Sequence, residues 1–200
     1  MTRINKHQTK FFFIMMSLLL FIFSGFGSPS KESDSALDSE AIRESRISEL
    51  ENSDLVGNVD AYAAIEGMLA EGPAPTPAKV FIIENDESVE GDAGEKYVYS
   101  RHYLDLPEEL QAKSDAEMNV LVKLRQYYME TGTYSNEGIA YTRYVQITIL
   151  DRAAGTIIHQ ETMIGSAPFS ISEGESAGYG YVPEYQVLEK ILEFFGYAEE

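Results

Sequence analysis

The sequence predicts an α+β fold, an antiparallel sheet of about four or five strands with a C-terminal helix packed on one face. Two observations predict it. Between Asn119 and Gly165, apolar and polar residues alternate in runs separated by turn-forming stretches, the pattern of a three-stranded meander over 119–164. After Pro183, Tyr185, Leu188, Leu192 and Phe195 recur at helical spacing with Ile191 beside them, the pattern of an amphipathic helix.

The elements follow in order from the N-terminus. Met1–Lys10 carries Arg3, Lys6 and Lys10 and no acid, Phe11–Phe23 is apolar, and small residues follow in Ser24-Gly25-Phe26-Gly27. Charge, then apolar block, then small residues is the layout of a secretory signal peptide. Residues 1–27 are therefore expected to be removed near Ser28 or, if kept, to act as an N-terminal anchor. The apolar block falls short of the about 20 residues that span a membrane. This leader places the rest of the chain outside the cytoplasm, periplasmic or extracellular. The sequence has no cysteine, which excludes a thiol-linked lipid anchor, disulfides and thiolate metal sites.

Charge narrows the choice of partner. The chain has a formal net charge of −18, and all 33 acidic residues lie after residue 30. A body this acidic is repelled by phosphate backbones and anionic headgroups, so no nucleic acid partner is expected, and contact with membrane only through residues 11–23 if they are uncleaved.

Residues 28–77 read as an acidic Ser/Glu-rich tether, too poor in apolar side chains to offset the entropy of ordering. Leu37, Ala41, Ile42, Ile47 and Leu50 have loosely helical spacing within it, and Ala61–Ala70 forms a better short helix with Tyr62, Ile65 and Leu69 on one side. Gly72-Pro73-Ala74-Pro75-Thr76-Pro77 ends any helix and makes a stiff spacer, so the α+β domain is expected over 78–200. In that domain Lys79–Glu84 is a strand, Asn85–Glu95 an acidic loop and Lys96–Leu104 a second strand with Tyr97, Tyr99 and Tyr103 on one face. Pro107 opens a short helix over PEELQAKS. The meander comes next: Val120, Val122 and Leu124 alternate with Lys123 and Arg125, and Val145, Ile147 and Ile149 with Gln146 and Thr148. Asp151-Arg152-Ala153-Ala154-Gly155 makes its second hairpin. Ser166–Val182 is long for a plain connection and reads as a binding or mobile loop. Asp151-xxx-Gly155-Thr156 followed by Gly165-xx-Pro168, behind an exported leader and polar tether, resembles uncharacterised bacterial exported α+β domains. The resemblance covers roughly the last 80 residues, rests on turn chemistry and implies no activity.

Three patterns suggest chemistry. Gly174-Glu175-Ser176-Ala177-Gly178 matches the G-x-S-x-G elbow of α/β-hydrolases, but Tyr-Gly-Tyr-Val-Pro follows where a helix should start, and no histidine lies after His159. His102, Asp105 and His159 would form a metal or general-base site if their strands met. The acidic stretch Glu84–Glu95 fails the EF-hand template, because Gly91 in the glycine position puts Tyr97 where a bidentate Glu belongs. The sequence therefore implies no metal and no cofactor, and points away from an enzyme.

Tyrosine is the remaining signal, with 13 residues against no tryptophan. Tyr97, Tyr99 and Tyr103 on one strand, with Tyr179 and Tyr181 rimming the long loop, would present aromatic area with polar tips to an unknown protein or an envelope glycan. High strand propensity is the competing explanation for these rings. The expectation is an exported, non-catalytic binding or cell-envelope domain. The alternatives are a membrane-anchored accessory subunit that keeps residues 11–23, or a small hydrolase or metal-dependent enzyme using His102 and His159.

Overall fold

A computed structural model describes residues 32–86, 95–134, 137–168 and 176–197. The leader, most of the acidic stretch 84–95 and the first two residues of the G-x-S-x-G match lie outside the described residues. The chain divides into two compact units between Ile42 and Arg43. In the first, the described residues are the opening turns of helix α1 (Glu32–Glu51).

The second unit is α+β and is built on one mixed sheet of seven strands. These are β1 (Met68–Leu69), β2 (Val80–Asn85), β3 (Tyr97–Tyr99), β4 (Val120–Thr133), β5 (Ile139–Asp151), β6 (Thr156–Ile164) and β7 (Ala177–Tyr179). Their order is β1-β6-β5-β4-β2-β3, with β7 beside β5. The meander is β4–β5–β6, antiparallel throughout. The sheet as a whole is not antiparallel, and it has more strands than the pattern suggests. β2 runs parallel to β4, β1 parallel to β6 and β7 parallel to β5. The reason for the first is the crossover: the chain leaves β2, returns along β3, turns through helix α4 (His102–Asp105) and re-enters at Val120 level with Val80. Val80, Phe81, Ile82 and Ile83 are fully buried, as expected for a central strand covered on both faces.

Cross-strand partners share a face, and the register sorts the core into two halves. Ile82, Val122, Leu124, Ile147 and Ile149 lie on one face. A small C-terminal helix, α5 (Glu184–Phe194), buries Val187 and Ile191, and its Phe194 stacks on His159 of that face at 5.0 Å. Phe81, Ile83, Leu121 and Leu150 lie on the other face. There Tyr62 of helix α3 (Val59–Ala63) and Tyr103 of α4 meet Phe81 edge-on, with ring centroids 5.9 and 5.3 Å away. Leu50, Leu55 of helix α2 (Asp54–Gly57) and Val59 complete this half of the core.

Leu50, Leu55, Val59 and Tyr62 are thus buried in the core although they fall in the expected tether 28–77. The expected helix over Ala61–Ala70 stops at Ala63, where Lys123 Nζ takes the carbonyls of Ala63 and Ile65 at 2.7 and 3.3 Å, and Met68–Leu69 then join β6. The strand expected over Lys96–Leu104 ends at Tyr99. Buried Ser100 donates to Glu84 Oε2 at 2.9 Å and accepts the His102 amide, which turns the chain into α4 and carries Tyr103 into the core. The PEELQAKS segment forms turns instead of a helix, because Leu110 and Ala112 bond to Val80 on the side of β2 that β3, paired only from Ile83, leaves open.

Titration of the core gives one prediction. Tyr62 donates to Asp115 Oδ1 at 2.6 Å, and Arg152 pairs with the same oxygen at 2.9 Å. The Tyr62 hydrogen bond, then Arg152, holds the Asp115 carboxyl below its ordinary value of 3.8. A carboxyl held low adds stability that is complete above its unfolded value and is lost as pH falls through the folded value. Burial pushes the Tyr62 and Tyr103 hydroxyls up to about 12, so their contribution is complete below the ordinary 10.0 and is lost as pH rises through about 12. Denaturant unfolding followed against pH should show weakening at both extremes. Asp115→Asn should weaken the acid-side dependence and also lower the Tyr62 hydroxyl, which Asp115 helps to raise, and ultraviolet titration should show Tyr62 and Tyr103 ionising above the ordinary 10.0.

Candidate functional site

β4 and β5 are longer than the strands beside them, and this sets up the site. β2 pairs with β4 only from Val120 to Leu124. One residue past that ladder, the Asn85 side-chain amide accepts from Gln126 N at 2.6 Å and donates to Gln126 O at 2.8 Å, standing in for a neighbouring strand and ending the pairing. Past this point the hairpin continues to Thr133 and returns from Ile139, with a register shift between Glu130 and Gly132.

β7 joins this end. Ala177, Gly178 and Tyr179 pair with Ile139, Ala140 and Tyr141, and Ser166 bridges Tyr181. Two glycines make the approach possible. A Cβ on Gly165 would sit 2.6 Å from the Tyr181 carbonyl oxygen, and one on Gly180 would collide with the Ser166 carbonyl oxygen. The expected loop Ser166–Val182 is thus partly a strand.

The result is a tyrosine cluster. Tyr128 and Tyr141 share the α5 face of the hairpin by register. The Tyr179 ring meets Tyr128 edge-on at 5.2 Å and stacks on Tyr141 at 5.5 Å. Tyr179, Tyr181 and Tyr185 are 61, 56 and 67 % exposed, and Met129 is 50 % exposed. Rings fixed against one another yet left in water have already given up much of the freedom that a contact would remove, the property that makes tyrosine useful at interfaces.

On the opposite face Tyr127 stacks on Tyr144 at 5.3 Å, with the Arg125 guanidinium 5.5 Å from the Tyr127 ring. The tyrosines singled out from sequence are divided among three places. Tyr97 and Tyr99 lie on this second face, half-buried, donating to Glu95 and Glu51. Tyr103 is 4 % exposed and donates to the Ala112 carbonyl inside the core. Tyr179 belongs to the cluster at the hairpin end, and Tyr181, bridged to Ser166, is exposed just past β7. Sequence reasoning did not join Tyr128 and Tyr141 to Tyr179, because their meeting depends on β7.

The structure does not bring the candidate catalytic residues together. His102 follows β3 and His159 lies on β6, with β5, β4 and β2 between them in the sheet. His159 stacks on Phe194 and faces Glu161 at 3.6 Å, while Asp105 pairs with Arg43 at 3.4 Å. His102 instead lines a cavity of about 260 Å³ beside the start of α5, with Glu84 and Glu184. Glu84 there accepts the Ser100 hydroxyl. Ser176 is exposed and runs into β7 rather than into a helix. Among the described residues no group of three or more His, Asp or Glu side chains is placed to hold a metal ion, and no helix is long and apolar enough to cross a membrane.

Comparison with known proteins adds no relative: no family model, no curated protein and no solved structure matches this chain.

Proposed function

We propose that this chain is an exported, non-catalytic binding domain of the cell envelope, and that its contact surface for a protein partner is the tyrosine-bearing end of the β4–β5 hairpin with β7. The observation that carries the reading is the Tyr128–Tyr179–Tyr141 cluster, rings packed at 5.2 and 5.5 Å with Tyr179 61 % exposed. Tyrosine and methionine are enriched at protein interfaces, and a fixed aromatic group in water is the kind of anchor a partner's pocket covers. The distance separating His102 from His159 in the sheet argues against the alternative use of both in catalysis.

Export rests on the order of charge and apolarity in residues 1–27. The mass of the mature chain tests it: a start near Ser28 supports a released domain, and a chain that keeps Phe11–Phe23 supports the anchored accessory subunit. Hydrogen exchange of the protein with and without an envelope extract tests the contact surface, and the expected change is slowed exchange at Tyr128–Thr133 and Ala177–Tyr181.

A further inference from the structure

The face of the sheet turned away from α5 carries a second, differently built feature. By register, Lys123, Thr148 and Gln160 form one cross-strand row on β4, β5 and β6, and Arg125 and Gln146 begin the next. The stacked Tyr127 and Tyr144 form the row after that. With strands about 4.8 Å and rows about 6.8 Å apart, the field measures roughly 10 by 14 Å. The segment at Glu66 and the Tyr97 ring border the first two rows, and together they enclose an open trough of about 320 Å³.

The groups in this trough are fixed before anything binds. Lys123 Nζ is held by the Ala63 and Ile65 carbonyls and lies 5.4 Å from the centre of the Tyr97 ring. Arg125 is held between the Glu95 carboxylate, at 2.5 Å, and the Tyr127 ring. Both cations are thus engaged within the protein, and Glu66 and Glu95 balance them. What remains for a ligand to hydrogen-bond is the exposed Glu66 carboxylate and two uncharged side-chain amides. Gln160 donates to Thr148 Oγ1 at 3.2 Å, which leaves its amide oxygen open, and among the described residues the Gln146 side-chain amide has no hydrogen-bond partner.

This chemistry selects a ligand class. A polyanion is repelled by a chain of net charge −18 and finds the trough's cations already neutralised. A peptide needs an apolar anchor pocket, and the trough's aliphatic side chains, Ile65, Leu150 and Ile157, lie beside charged and amide groups. A ligand rich in hydroxyls fits, because a planar amide offers a donor and an acceptor side by side to neighbouring hydroxyls. We propose that this trough binds a neutral saccharide, with Gln146 and Gln160 pairing to its hydroxyls.

The test is nuclear magnetic resonance of the isotope-labelled protein, following the side-chain amide signals of Gln146 and Gln160 as diacetylchitobiose, cellobiose or maltose is added. At least one disaccharide should shift both signals saturably. Gln146→Ala and Gln160→Ala should each weaken binding about tenfold, the loss of one well-made hydrogen bond. The backbone signals of β4 and β5 report in the same spectra that each variant is folded. Tyr179→Ala should leave the response unchanged, which keeps this site separable from the tyrosine cluster on the other face. The proposal is overturned if none of the three sugars moves these signals at tens of millimolar, if citrate moves them and the sugars do not, or if the response survives both substitutions.

Discussion

Phe81→Ala is expected to lower the unfolding free energy by about 3–5 kcal/mol, the range for truncating a fully buried aromatic. Phe81 has no exposed surface and is the largest of the fully buried side chains. It holds two parts of the core at once: Tyr62 of α3 and Tyr103 of α4 both meet its ring edge-on. Both neighbours are fixed by hydrogen bonds of their own, Tyr62 to Asp115 and Tyr103 to the Ala112 carbonyl, so neither can collapse into the space left behind. The cost therefore belongs at the upper end of the range, and hydrogen exchange should quicken in residues 54–63 as well as in β2. A loss near 1 kcal/mol, the value for a half-exposed site, would mean that these helices do not rest on the sheet.

Gly180→Ala is expected to release β7 while leaving the rest of the sheet intact. The new Cβ would collide with the Ser166 carbonyl oxygen and press on Thr142 Cα at 3.1 Å and the Tyr141 oxygen at 3.2 Å. All three are backbone atoms of paired segments and cannot swing aside as a side chain would. Relief requires opening the Ser166–Tyr181 bridge and the 2.6 Å hydrogen bond from Gly180 N to Tyr141 O. Overpacking of this kind costs about 1–3 kcal/mol, here concentrated on a three-residue strand. Exchange should quicken at Ala177–Tyr181 and stay unchanged at Val120–Leu124. Since Tyr179 would leave Tyr128 and Tyr141, any partner held by the cluster should be lost with it.

The parts of this fold that were readable in the sequence are those whose signal is local. Val120, Val122 and Leu124 alternate with Lys123 and Arg125 because one face of β4 is buried and the other partly wet, and β5 repeats the pattern. The C-terminal helix was readable for the same reason. Its buried residues, Val187 and Ile191, lie to one side of the expected stripe, and Tyr185 on that stripe is 67 % exposed. What was not readable depends on contacts between distant residues. The loosely helical spacing that includes Leu50 does not announce that Leu50 and Leu55 are buried in the core, and an acidic, serine-rich surrounding argues for the opposite. The run Val80-Phe81-Ile82-Ile83 marks a strand buried on both faces, a hint of the parallel pairing with β4 that an antiparallel reading overlooks.

The tyrosines teach the same lesson at the level of the site. Period-two alternation put Tyr103 beside Tyr97 and Tyr99, and the hydrogen bonds of one buried serine were enough to break the period at Ser100. Tyr179 was picked out by its loop, but Tyr128 and Tyr141 join it only because a strand of three residues without apolar pattern pairs with β5 past two glycines. The polar trough was equally hidden. Its residues come from the segment 65–67 and from β3, β4, β5 and β6, and their spacing exists only once the register of the sheet is set.

The most direct measurement of the central claim is backbone hydrogen exchange of the protein with an envelope extract, run in parallel on the wild type and on Tyr179→Ala. The account predicts that the extract slows exchange at Tyr128–Thr133 and Ala177–Tyr181 in the wild type, and that Tyr179→Ala removes the slowing with the core amides of β2 and β4 unaltered. An exchange map that the extract leaves unchanged, or slowing at the hairpin end that persists in Tyr179→Ala, would contradict it.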